Sequence, residues 1–335
     1  MLWIQFVVSA LVIILAGSRL SRYGDIIAEK TGLGGSLVGV VLMASVTSLP
    51  ELVTGVSAVM FVGAPDIAVG DILGSCVFNL FILAALLDAI HKPAPITTTA
   101  HHGHILSAAA GIVLLCVATF GILFPRYNIA VGWIGLVSLV IFLLYPVALK
   151  IIGDYEKKQA TARLAEAQAV LQYEQITLRQ AAIRYAVNAA LVVVAAAMLP
   201  EIGARIATQS GLGQTFVGSI LMALTSSLPE VVVSMAAVRM GAVDLAIGNL
   251  FGSNLFNLFI LAIDDLFFLQ GPLLNSISPA HVFSAGAAIA MTAISIIGLT
   301  YRAERKYWLW GWDSIAMMAL FALNFILLFL QTGLD

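Results

Sequence analysis

Apolar residues run through most of this chain in blocks of about 20 or more, each closed by a short polar turn. A helix of that length crosses the ~30 Å hydrocarbon core of a bilayer. The blocks predict ten spans, near residues 2–21, 36–62, 66–90, 104–124, 127–150, 184–208, 215–241, 243–269, 279–300 and 312–331. The first block has no basic residue ahead of it, and Arg19 and Arg22 follow it. It therefore reads as a membrane helix rather than a cleavable leader. The stretch GDYEKKQATARLAEAQAVLQYEQITLRQ lies between the fifth and sixth spans and is rich in helix formers. Its apolar residues are too few to bury a core, so it predicts a helical cytoplasmic connector. The chain then divides into a five-helix unit over 1–150, a linker over 151–183 and a second five-helix unit over 184–335.

Composition agrees: 61% of the residues are hydrophobic and 10% are charged, against about 25% charged in a soluble domain. The net charge of −2 offers no basic surface for nucleic acid. Cys76 and Cys116 sit alone in apolar runs and read as packing residues. Of the sixteen Lys and Arg, fourteen fall on one side of the ten-span arrangement, and only Arg126 and Arg205 on the other. Basic residues stay in the cytoplasm, so both termini are expected outside. The short loops fit a prokaryotic inner membrane, with the lipid bilayer and ions as partners and no obligate protein partner in evidence.

Two stretches repeat. GLGGSLVGVVLMASVTSLPE, from Gly32, matches GLGQTFVGSILMALTSSLPE, from Gly211; GAPDIAVGDILGSCVFNLFILA then matches GAVDLAIGNLFGSNLFNLFILA. The offset is 179 through Glu51/Glu230 and 178 from Gly63/Gly241 onward. Five spans separate the copies, an odd number, so the second copy is expected upside down. Inverted repeats are a transporter architecture, with the ion site at the midplane where the copies meet.

Each copy carries chemistry that lipid disfavours. A carboxylate such as Glu51, well inside a span, costs several kcal/mol and needs a partner or a task. Pro50 has no N–H and clashes one turn back, so the helix is expected to break and to free carbonyls around Ala44–Val46. Thr47 and Ser48 lie on the face of Glu51. Ser226, Ser227, Pro229 and Glu230 repeat the arrangement, with carbonyls around Ala223–Thr225. In the following spans Asp71, Ser75 and Asn79 form one polar stripe, and Asn249, Ser253 and Asn257 form its counterpart. Small glycines beside them, at 70, 74, 248 and 252, allow close helix approach. Every donor is an oxygen, as hard cations such as Ca²⁺ require. A single proline or serine in a membrane helix has structural explanations; two buried glutamates in matching surroundings call for more.

At these residues the chain resembles the sodium/calcium exchanger branch of the cation/calcium exchanger superfamily. The match lies in T-S-L-P-E with G-D-I-L-G-S-C-V-F-N, and in S-S-L-P-E with G-N-L-F-G-S-N-L-F-N. The resemblance implies an all-α integral membrane fold of ten transmembrane helices in two inverted five-helix repeats, with both termini outside. It implies secondary antiport of Ca²⁺ against Na⁺ by alternating access, the first and sixth spans sliding across the rest, and no cofactor. It implies a central Ca²⁺ site of Glu51 and Glu230 with Thr47, Ser226 and the carbonyls of Ala44 and Ala223. Ser48, Ser75, Ser227 and Ser253 would line flanking Na⁺ sites, and Asn79 and Asn257 would close the middle. The family's prokaryotic members typically carry an aspartate where Asn257 stands here. Two glutamates balance one Ca²⁺, two Na⁺ or two protons, so the asparagine argues against three-for-one exchange. Asp71 either supplies a third carboxylate or serves as an entrance charge.

Antiport of Ca²⁺ against H⁺ through the same two glutamates is the alternative, because a desolvated carboxylate can carry protons as well as metal ions. A channel would repeat its filter about the membrane normal, and an enzyme would need a base or metal-ligating histidines at membrane depth; the repeats supply neither. The HHGH run from His101 reads as a solvated loop. Asp88, Asp264 and Asp265 read as solvated acids at helix ends, the last two with a possible pull on cations. Trp308, Trp310 and Trp312 read as an interfacial belt.

Overall fold

The computed structural model describes residues 2–166, 175–198, 201–202, 205 and 226–332. Its long helices are α1 (Leu2–Thr31), α2 (Gly34–Val62), α3 (Pro65–Ile90), α4 (Gly103–Leu123), α5 (Leu136–Glu166), α6 (Leu178–Ala197), α7 (Leu228–Arg239), α8 (Val243–Phe267), α9 (His281–Tyr301) and α10 (Trp312–Thr332). Among the described residues nine are long and apolar enough to cross a membrane. The seventh expected span, 215–241, falls largely outside the described residues, and α7 is its described part.

Two boundaries differ from expectation at the connector. Helix α5 continues to Glu166 and α6 already starts at Leu178, where Thr177 and Gln180 form a capping box. The described parts of the connector are thus largely extensions of the flanking helices. The fifth span also begins later than expected. Residues Ala130–Val131 and Ile134–Gly135 form a short hairpin, turned through Gly132 in the left-handed region (φ +70°). Asp265 holds this hairpin by accepting the Gly135 N–H at 2.8 Å.

Among the helices long and apolar enough to cross a membrane, α8 is the most enclosed: 83% of its best 18-residue apolar stretch is buried, against 22% for that of α10. It packs against α2, α3, α4, α5 and α7. Its crossing with α2 is at backbone contact. A Cβ added to Gly252 would lie 2.5 Å from both the Cα and the carbonyl oxygen of Val40. Helix α1 pairs with α6 and crosses α7.

The direction of the central helices follows from their ends. Asp88 near the end of α3 binds the loop leading to α4, by accepting the Ile96 N–H. The start of α4 in turn meets the start of α8, through His104 and Asp244. Helix α8 therefore begins where α3 ends, and the two run in opposite senses.

The repeat drifts in register, and π-helical turns absorb the drift. The first copy has twelve steps from Glu51 to Gly63 where the second has eleven from Glu230 to Gly241; α2 holds a π turn over Ala58–Val62, whereas α7 is plain α-helix. A second π turn, Ile82–Leu87, brings Asp88 into correspondence with Asp265 at an offset of 177. One π turn accommodates one extra residue without breaking a helix.

Asp88 and Asp265 correct an expectation, because both are fully buried rather than solvated. Each accepts the backbone N–H eight residues on, from Ile96 (2.8 Å) and Leu273 (2.5 Å) respectively. Asp88 further accepts from Gly311 N (2.7 Å) and Ser314 Oγ (2.8 Å), and Lys306 Nζ lies 3.2 Å away. The cause is backbone accounting: loops that dip below the helix ends carry amides that need an acceptor, and a carboxylate serves two or three at once. Of the expected tryptophan belt, Trp308 is exposed, but Trp310 donates its indole N–H to the Ala85 carbonyl at 3.0 Å and serves as a tether.

Gly252→Ala drives a methyl group into the α2 backbone and is expected to lower the melting temperature of the purified protein, with an overpacking cost of about 1–3 kcal/mol. Gly286→Ala, at an exposed glycine with nothing within 4 Å among the described residues, should leave it unchanged or raise it. Thermal unfolding of the two variants side by side checks the crossing.

Candidate functional site

The two L-P-E sequences build the same local structure. Ser48 (φ −93°, ψ 7°) and Ser227 (φ −85°, ψ 7°) stand in the bridge region between α and extended backbone. Each precedes a fresh helical start with proline and glutamate in its first turn. That places each carboxylate at the positive end of a half-helix. Pro50 has no N–H for the Val46 carbonyl. The Ala44 carbonyl, in contrast, is engaged: it accepts the Ser48 N–H at 3.0 Å and the Thr47 hydroxyl at 3.3 Å. The break at Ser48 thus frees less backbone than expected. Ala223 and its neighbours through Thr225 lie outside the described residues.

The structure gathers the predicted side chains into one buried cluster. Thr47, Ser48, Glu51, Ser75, Asn79, Ser226, Ser227, Glu230, Ser253 and Asn257 are all at most 1% exposed, and Asp71 is 9% exposed. Ser48 Oγ donates to Glu230 Oε1 at 3.1 Å, as does Ser253 Oγ at 3.3 Å. Thr47 Oγ1 lies 3.3 Å from Ser253 Oγ and donates to Asn249 Oδ1 at 3.3 Å. Its repeat counterpart, Ser226 Oγ, donates to Asp71 Oδ1 at 3.2 Å. Ser227 Oγ meets Ser75 Oγ at 3.4 Å.

The glutamates are not equivalent. Glu230 has hydroxyl donors on Oε1. Among the described residues, neither oxygen of Glu51 has a hydrogen-bond partner, nor has Glu230 Oε2. No ion pair among the described residues involves either one. They lie within electrostatic reach of one another, and Asp71 within reach of Glu51. Carboxylates buried this way are tolerated when a cation or proton joins them.

Sequence reasoning missed Asn254 and Ser234. Asn254 stands at the repeat position of Cys76, and the two residues meet across the centre: Asn254 Nδ2 donates to the Cys76 carbonyl at 3.2 Å. The Asn254 Oδ1 accepts from Asn79 Nδ2 at 3.0 Å. Equivalent residues meeting each other mark the line about which the copies are related. Ser234 Oγ accepts from Asn249 Nδ2 at 3.0 Å, closing that side of the cluster.

The histidine run corrects another expectation. His104 is fully buried, with Nε2 3.0 Å from Asp244 Oδ1, and the His101 N–H donates to the same oxygen at 2.7 Å. At the far end His281 Nε2 (3.0 Å) and the Ser278 N–H (2.7 Å) engage Asp66 Oδ1 in the same way. The signal was present in the repeat, where G-A-P-D and G-A-V-D place Asp66 and Asp244 alike. These latches fix where α3 and α8 enter and so hold the site helices in register.

Ser48→Ala removes a charge-assisted bond to Glu230, worth about 1.5–3 kcal/mol. It is expected to lower the melting temperature of the purified protein, read by thermal unfolding; an unchanged melting temperature would show that this bond does not hold α2 against α7.

The profile of the sodium/calcium exchanger protein family matches residues 1–149 and 181–330. The Inner membrane protein YrbG of Escherichia coli (strain K12) is 26% identical over 257 residues, 76% of each chain. The Sodium/calcium exchanger MaX1 of Methanosarcina acetivorans is 25% identical over 332 residues, covering 90% of this chain and 91% of that one. Among solved structures, the sodium-calcium exchanger NCX_Mj soaked with 100 mM Na⁺ and 10 mM Sr²⁺ superposes with a TM-score of 0.72 at 19% identity, over 96% of this chain and 98% of that one.

Proposed function

The chain belongs to the sodium/calcium exchanger protein family, and from that premise we propose that it exchanges Ca²⁺ for Na⁺ by alternating access, with Glu51 and Glu230 as the shared ion centre. The observation that carries this reading is Glu51: a buried carboxylate with both oxygens unpartnered among the described residues. It lies within electrostatic reach of Glu230 in a cluster of buried hydroxyls and amides, which is the hard-oxygen chemistry of Ca²⁺ and Na⁺. Opposing ions compete for the same two charges, so binding one expels the other.

Asn257 keeps the centre at two negative charges, which balance one Ca²⁺ or two monovalent ions. The same count favours a second reading, Ca²⁺/H⁺ antiport through Glu51 and Glu230, since two protons also balance it. For the conformational step, α1, α6 and α7 share a small apolar cluster of their own, Ile13, Ala195 and Ala196 with Phe6, Val12, Leu228 and Val232. Gly17 passes close over Val232 and Val233. Helices α1 and α6 also pack extensively against each other, which supports their moving as a pair. The lysine and arginine asymmetry supports termini outside, and the name of the Escherichia coli relative supports a prokaryotic inner membrane.

⁴⁵Ca²⁺ uptake into proteoliposomes under an outward Na⁺ or an outward H⁺ gradient tests both readings. Sodium-dependent uptake is expected, falling to background in Glu51→Gln and in Glu230→Gln. Uptake that follows the proton gradient and ignores Na⁺ would transfer the protein to the second reading, and uptake unchanged in both variants would remove the glutamates from the mechanism.

A further inference from the structure

Asp264 is a fully buried carboxylate at the far end of α8 from Asp244, and neither of its oxygens has a hydrogen-bond partner or an ion pair among the described residues. It lies directly against Gly55 of α2, where a Cβ would overlap it. Gly55 follows Glu51 by one helical turn, on the same face. The Asp264 carboxylate therefore fills the place of the missing side chain and points at the face that bears Glu51. Asp71 stands within electrostatic reach of both Glu51 and Asp264. Its Oδ1 takes the Ser226 hydroxyl, and its Oδ2 has no partner among the described residues.

The second copy shows what a closed version of this place looks like. There Asn249 replaces Asp71, Ser234 replaces Gly55 and, with the π-turn shift, Leu87 replaces Asp264. Asn249 and Ser234 bond to each other at 3.0 Å, neutral and satisfied. At this place the copies differ by two negative charges. Three anionic oxygens left without donors, in a protein interior, are stable only beside a cation or a proton.

We infer that Asp71 and Asp264 form a second cation site, built for one hard divalent ion of the Ca²⁺ class, between the Glu51–Glu230 centre and the Asp66 end of the bundle. Two carboxylates match the charge of one divalent ion, and carboxylate oxygens with water complete the coordination such ions accept. With the termini outside, that end faces outward, so the ion held there is arriving at or leaving the centre on the external side. The inference rests on the reading of Glu51 and Glu230 as the centre, and it gives Asp71 a task distinct from a third central charge.

Equilibrium binding of ⁴⁵Ca²⁺ to the purified full-length protein in Na⁺-free detergent solution tests it. Wild type is expected to bind two ions per chain. Asp264→Asn and Asp71→Asn should each bind one, and Glu51→Gln should keep the outer ion and lose the central one. Size-exclusion elution identical to wild type establishes folding, and Asp71→Asn, which copies Asn249, serves if Asp264→Asn does not fold. One ion per chain in wild type, or two retained in both aspartate variants, overturns the second site. Loss of binding in Glu51→Gln with no change in Asp264→Asn overturns it while sparing the central reading. Two ions retained in Glu51→Gln, with one lost in Asp264→Asn, spares the second site and removes the central reading.

Discussion

Charge placed where lipid and protein exclude water has to be neutralised locally, and the arrangement of this molecule follows from that constraint. Glu51 and Glu230 sit in the first turns of half-helices created by serine and proline breaks. The break points the positive end of each half-helix at its own glutamate, which removes part of the cost. Hydroxyls from α2 and α8 remove more at Glu230. The remainder is concentrated at Glu51, whose oxygens have no protein donor among the described residues.

Holding such a centre demands helices at backbone distance. The crossing of α2 and α8 at Gly252 and Val40 brings Thr47 beside Ser253 and Asn249, and it carries Ser48 to Glu230. The ends of the same helices are pinned by carboxylates: Asp244 and Asp66 through histidines and amides, Asp88 and Asp265 through loop amides. Each of these acids accepts at least two donors. The acids that hold the fold are thus satisfied, whereas Glu51, Asp71 and Asp264 keep oxygens free among the described residues. Satisfaction rather than burial separates the two groups: Asp66 is exposed and Asp244 partly so, whereas Asp88 and Asp265 are as buried as Glu51.

The two copies are related closely enough for contacts to recur, and one recurring contact differs in charge between them. Thr47–Asn249 and Ser226–Asp71 are one contact written twice, with a neutral acceptor in one copy and a charged one in the other. Extra residues in the first copy are taken up by π turns, which shift register without losing the helix. Such turns let insertion and deletion accumulate in a repeat while the polar stripe keeps its face.

Much of this was legible in the chain because the signals are local or periodic. Span length follows from helix rise and bilayer thickness, so the apolar blocks announced the helices. The L-P-E breaks follow from the chemistry of proline, and the polar stripe from helical spacing. The odd number of spans between the copies implied inversion, and the internal match named Glu51, Glu230 and their hydroxyl neighbours without reference to any partner. Solvation was not legible. Asp88, Asp264 and Asp265 look alike at helix ends, yet two became amide acceptors and the third, beside Gly55, has no partner among the described residues. His104 reads as a loop residue until α8 delivers Asp244 to it. Whether a polar atom finds a partner depends on helices far apart in the chain arriving at one place, and no local pattern encodes that arrival.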